Sequence, residues 1–118
     1  MKRALNDVLE HMIEDCMDII ECTNRVKSID GMDTDRLLRK GLVYSILNLG
    51  ELTKVLETFI DLSSTDIDWK GLKGMREIAA HRYKSMNSDI IWDVAVNNIP
   101  EILRFLQNQR RIFRNAVQ

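Results

Sequence analysis

DRLLRKGLVYSILNLGELTKVLETFIDL, residues 35–62, is the stretch that decides the fold. Leu37, Leu38, Leu42, Val43, Ile46, Leu47, Leu49, Leu52, Val55, Leu56, Phe59 and Ile60 recur at steps of three and four, the spacing of a helix. They cover more than one face, however, and a helix apolar on several sides needs neighbours on several sides. The segment is therefore expected to be the central helix of a bundle, running to about Leu62. Asp33, Thr34 or Asp35 can cap its start. Gly41 and Gly50 suggest close helix contacts or a bend.

Working outward, Leu5, Val8, Leu9, Met12, Ile13, Cys16, Ile19, Ile20 and Val26 predict an amphipathic helix over residues 5–29. Asp30-Gly31 then signals a turn. Downstream, polar residues 61–68 break the pattern and a third helix is expected over 69–83, its first turns weakened by Gly71 and Gly74. Residues 85–88 form another break. Asp89 sits near the start of a short helix carrying Ile90, Ile91, Val94 and Val96, and Pro100 is expected to restart the chain and open a last helix. Five helical segments without a strand predict an all-α fold: a single antiparallel bundle of four to five helices, one domain over residues 1–118.

The composition agrees. The 118 residues are 45% hydrophobic and 30% charged with one proline, which suits one continuous core and argues against a disordered chain or a loop-rich secreted scaffold. No apolar run approaches the roughly 18 to 20 residues that span a bilayer, and MKRALNDVLEHMIED carries acids where a signal peptide needs an apolar segment. The expectation is a cytoplasmic protein with no membrane contact. Cys16 and Cys22, about 240° apart on one helix, read as reduced core thiols.

The net charge is −1, but it is unevenly spread: residues 1–35 carry four basic and nine acidic side chains, whereas 69–84 carry five basic against Glu77. Residues 104–118 add Arg104, Arg110, Arg111 and Arg114 with no acid. Such runs suit either solvated helix faces or a polyanion site made by two converging basic segments.

There is no phosphate-cradling glycine loop, CxxC or HExxH. With only His11 and His81, and no carboxylate cluster to complete a site, neither a metal nor another cofactor is expected. His11 and Cys16 can form a base and nucleophile pair, but a buried thiol fits that position better. The informative segment is GMREIAAHRY, residues 74–83. Histidine can shuttle a proton and a guanidinium can hold a phosphate by paired hydrogen bonds. In RNA the 2′-hydroxyl is an internal nucleophile, so a base, an acid and a cation suffice for metal-free cleavage. Arg76 and His81 stand about 140° apart on a regular helix, so a bend or a second subunit has to help, whereas Arg76 and Tyr83 share nearly one face. A satisfied histidine beside a snorkelling arginine and a half-buried tyrosine is the structural alternative.

Arg76, four residues, His81, one residue, Tyr83 resembles the RxxxxHxY motif of HepT-like proteins in the HEPN superfamily. Ile46-Leu47-Asn48-Leu49-Gly50-Glu51 is similar to that family's second-helix signature with its embedded Gly-Glu. Trp69 before Gly74-Met75-Arg76, and Asp89-Ile90-Ile91-Trp92 before Asn98-Ile99-Pro100, match later landmarks in order, from about Val8 to Leu106. The resemblance implies a helical homodimer with Arg76 and His81 of both subunits lining a shared cleft. It also implies the toxin of a type VII-like toxin–antitoxin pair, a metal-independent endoribonuclease acting on RNA such as tRNA or mRNA. Its antitoxin would be a minimal nucleotidyltransferase that adenylylates Tyr83.

Glu77, Arg82 and Lys84 depart from the family's usual small polar, acidic and aromatic residues. Glu51, Glu77 and Arg82 are possible supporting residues, and Tyr44 is a neighbour that plain packing would also explain. The alternative function is a noncatalytic module that binds a nucleotide or docks the nucleotidyltransferase.

Overall fold

The computed structural model describes residues 2–82 and 86–116, with side chains at 4–76 and 86–116. Helix α1, Lys2–Val26, ends where Lys27 turns into the left-handed region at φ 68° while its N–H donates to the Thr23 carbonyl. An L-residue there stops a helix, so α1 closes before residue 29. The expected Asp30-Gly31 turn is itself helical: α2, Ile29–Thr34, is capped by Ser28, whose hydroxyl accepts from the Gly31 N–H at 3.0 Å. A Cβ at Gly31 would stand 2.0 Å from the Val26 carbonyl oxygen, so only glycine lets the chain double back this tightly. The turn also drops Met32 fully into the core.

Helix α3, Arg36–Leu56, starts under Asp35, whose carboxylate accepts from the Leu38 N–H at 3.1 Å. It ends six residues before Leu62. The Thr58 hydroxyl and N–H both donate to the Val55 carbonyl, and Phe59 turns to the Leu56 carbonyl instead. A side-chain hydroxyl thus takes the acceptor that the next helical turn requires. Leu62 is nonetheless buried and Ile60 packs against the core, so the apolar spacing persists in a loop that folds back over the bundle.

Helix α4, Trp69–Arg82, has the firm start that its glycines had put in question. The Asp68 carboxylate accepts from the Gly71 N–H at 2.9 Å and lies where a Cβ on Gly71 would be. Trp69 donates its indole N–H to Thr65 and meets Phe105 edge-on at 5.5 Å.

Helix α5, Ser88–Asp93, is capped by the Asn87 side chain. It runs without a break through a π-helical turn, Val94–Asn98, into α6, Ile99–Ala116. Pro100 therefore does not restart the chain. The Ile99 N–H reaches back five residues to Val94, and this wider turn accommodates a proline that has no N–H and whose ring would crowd an ordinary helix.

α3 is central as expected, packed between α1 and α4 and touched by α2, while α6 lies along α1. The pairings of Glu51 with Arg76 and Glu57 with Lys73 show α3 and α4 running antiparallel. One hydrophobic cluster draws on every helix, with Leu9, Met12, Ile19, Leu42, Ile46, Leu49, Leu56, Ile91, Ile102 and Leu106 fully enclosed. Each such side chain contributes about 1.5–3 kcal/mol by leaving water. The described residues contain no strand, and no described helix is long and apolar enough to cross a membrane. Leu37, Tyr44 and Val55 on α3 are exposed rather than covered. Cys16 is buried, whereas Cys22 is only partly so; neither is bridged.

At Gly50 the two antiparallel helices approach tightly: a Cβ there would lie 2.9 Å from the Leu72 carbonyl oxygen and 3.5 Å from the Lys73 Cα. At Gly41 a Cβ would meet nothing within 4 Å, so the expected close contact holds at one glycine of the two.

Ile46→Ala should cost about 2–5 kcal/mol in urea denaturation while Leu37→Ala stays within about 0.5 kcal/mol. Gly50→Ala should cost about 1–3 kcal/mol, since the obstructing atom is backbone and α4 has to move to make room.

Candidate functional site

Backbone proximity at Gly50 places the next residue of α3, Glu51, against α4. Its carboxylate Oε1 forms an ion pair with the Arg76 Nε, and both side chains are half-exposed, at 45% and 43%. Lys54, one turn on, reaches the same carboxylate oxygen at 3.4 Å. Further along the seam Lys73 of α4 is paired with Glu57. Beyond it the loop between α3 and α4 leaves a groove of about 500 Å³ walled by Glu57, Asp61, Trp69, Lys70 and Lys73. The Ser63 N–H and hydroxyl both donate to Asp61 there and hold its carboxyl below the usual range. The α3–α4 seam is thus a surface of alternating charge, with cations of α4 interleaved with Glu51 of α3 and Glu57 at its C-terminal cap. Those pairings were not read from the sequence, because which residues of α3 face α4 depends on how the two helices are rotated against each other.

The second basic segment is engaged elsewhere. Arg110 and Arg114 approach Glu10 of α1 at 3.4 and 3.2 Å, and Arg111 donates to the Asn108 side chain. The two basic segments touch through Trp69 and Phe105, but these arginines turn to their own neighbours rather than joining Lys73 and Arg76 in one polyanion surface.

Arg76 and His81 lie in one uninterrupted α-helix with no π or 3₁₀ turn between them. At the spacing of a regular α-helix the two positions are about 140° apart within one chain. The side chains of His81, Glu77 and Arg82 lie outside the described residues, as do Tyr83 and Lys84 altogether. Of the motif, the structure describes the Arg76 side chain and the helix that carries His81, and it brings Glu51 to Arg76.

Tyr44 does not pack into the core. It is 68% exposed, two turns before Glu51 on α3, at the rim of a groove of about 490 Å³ between α1 and α3. That groove also holds His11, Glu14, Asp15, Asp18 and Glu21. Asp15 accepts from Asn48 at 2.6 Å, yet burial, helped by Asp18 and Glu14, raises its pKa. Burial, with Asp15 nearby, pushes the Cys16 thiol up to about 12. Burial also raises the Cys22 thiol. A thiol that holds its proton this firmly is a poor nucleophile, so the His11 and Cys16 pair is set aside. Among the described residues no three of His, Cys, Asp and Glu gather in a way that could hold a metal ion.

Residues 9–108 match the family model described as "Ribonuclease HepT-like". A protein of Methanocaldococcus jannaschii named "Putative RNase" is 32% identical over 108 residues, spanning 91% of this chain and 84% of that protein. Another of the same name, from Caldanaerobacter subterraneus subsp. tengcongensis, is 34% identical over 96 residues, 80% of this chain and 83% of that one. A third, named "Gamma-glutamylcyclotransferase and putative RNase", again from Methanocaldococcus jannaschii, is 26% identical over 91% of this chain and 50% of its own length. No solved structure matches the chain. The match runs through the Gly50-Glu51 contact and the whole of α4, and with it the chain belongs to the HepT-like ribonuclease family.

Proposed function

We propose that this protein is a metal-independent endoribonuclease and the toxin of a toxin–antitoxin pair, working as a homodimer on an RNA such as tRNA or mRNA. The observation that carries the reading is Arg76: a half-exposed guanidinium held at the surface of α4, inside a segment that matches a ribonuclease family. In this reading His81 takes the proton of a 2′-hydroxyl, whose oxygen attacks the adjacent phosphorus. Arg76 neutralises the charge that builds on the phosphoryl oxygens. The P–O5′ bond breaks, the leaving oxygen collects a proton from a protonated histidine, and the products are a 2′,3′-cyclic phosphate and a 5′-hydroxyl. Two copies reconcile this chemistry with the helix geometry. Arg76 and His81 are about 140° apart on a regular helix such as α4, so a cleft between two α4 helices would present an arginine and a histidine to one phosphate more readily than a single helix does.

Glu77 and Arg82 stand within the motif with opposite charges and would tune how strongly the cleft attracts RNA. Tyr83 would be the residue that a partner nucleotidyltransferase adenylylates, adding a negative phosphate and a bulky adenine beside a site made for phosphate.

The test is cleavage of total RNA and tRNA by the purified protein in excess chelator, using material whose mass shows no adenylyl group. Wild type should produce cyclic phosphate ends, and His81→Ala should lower the rate by about 10²–10⁴-fold while leaving the helical content intact. Sedimentation at micromolar concentration should show a dimer. An unmodified dimer that leaves RNA whole would favour the noncatalytic reading, in which the same surface docks a nucleotide or the nucleotidyltransferase.

A further inference from the structure

We infer that Glu51 is the positioning residue for Arg76, and that Gly50 is glycine so that Glu51 can do this. The inference rests on the nuclease reading above. An arginine on a helix surface has a long chain of rotors, and ordering it costs side-chain freedom. Its planar guanidinium helps a reacting phosphate only when that plane is set correctly. Glu51 takes the Nε of Arg76, the donor nearest the chain, and so sets the plane in which the other donors of the guanidinium lie.

The approach of the helices makes the contact possible. With a Cβ at residue 50 only 2.9 Å from the Leu72 carbonyl oxygen, any larger residue would drive α4 outward just where the carboxylate has to reach Arg76. Lys54, at 3.4 Å from the same carboxylate oxygen, steadies Glu51 from its own helix. Both partners are half-exposed, and a pair so placed adds little to stability, so holding the bundle together is a poor explanation for it. Placing the arginine is a better one. The hydrogen-bond acceptor, rather than the negative charge, is then what matters, because a carboxylate charge beside a phosphate site opposes binding.

The experiment compares wild type, Glu51→Ala, Glu51→Gln and His81→Ala in steady-state cleavage of one RNA. Each protein's thermal unfolding is followed alongside, as is the Nε–Hε NMR signal of Arg76. Glu51→Ala should lower kcat/KM about ten- to a hundredfold with little change in melting, and should broaden the Arg76 signal. Glu51→Gln, which keeps an oxygen for Nε, should restore both to near wild type. Wild-type activity in Glu51→Ala, or a loss that follows the melting temperature and is not rescued by glutamine, would overturn the positioning role while leaving the nuclease intact. Failure of wild type itself to cleave would overturn the nuclease reading, and this inference with it.

Discussion

α3 carries apolar side chains on more than one face, and burying those from Leu42 to Leu56 that form the core requires helices on both flanks. α1 supplies one flank with Leu9, Met12 and Ile19, and α4 supplies the other with Trp69, Leu72 and Met75. The second flank is the demanding one. Large side chains at the crossing would hold the backbones apart, and at Gly50 the helix has none, so the α4 main chain comes within contact of it. The placement of α4, and of every motif residue it carries, follows from that approach.

The same approach shapes the electrostatics. A basic segment read along the chain looks like a polyanion surface, but folded against α3 it becomes a seam in which Lys73 and Arg76 meet Glu57 and Glu51. These pairs are half in water, where screening and side-chain entropy keep their net contribution small. They nevertheless fix where the positive charge sits. Arg110 and Arg114 near the end of α6 are likewise turned toward Glu10, so their charge belongs to the α1–α6 contact.

Several boundaries were out of reach of periodicity because the deciding atoms are local and polar. Residues 57–62 keep the apolar spacing of α3 although the helix has stopped, since the Thr58 hydroxyl competes for the Val55 carbonyl. Asp30-Gly31 carries the chemistry of a turn, but Ser28 caps it into a short helix and the missing Cβ of Gly31 lets that helix sit on the end of α1. Pro100 has the signature of a helix start, yet a π-helical turn before it lets α5 continue into α6. In each case the residue was visible and its partner was not.

What the chain by itself determined is the all-helical class, the central place of α3, a cap for α3 among Asp33, Thr34 and Asp35, and the resemblance to the family. Each of these rests on spacing along one helix or on the chemistry of adjacent residues, and both are properties of linear order. Only the tertiary structure decided that Glu51 meets Arg76, that Gly50 rather than Gly41 is the point of close approach, and that Tyr44 faces outward. Those depend on how far two helices approach and how each is rotated about its axis, which the whole core sets at once through its close packing.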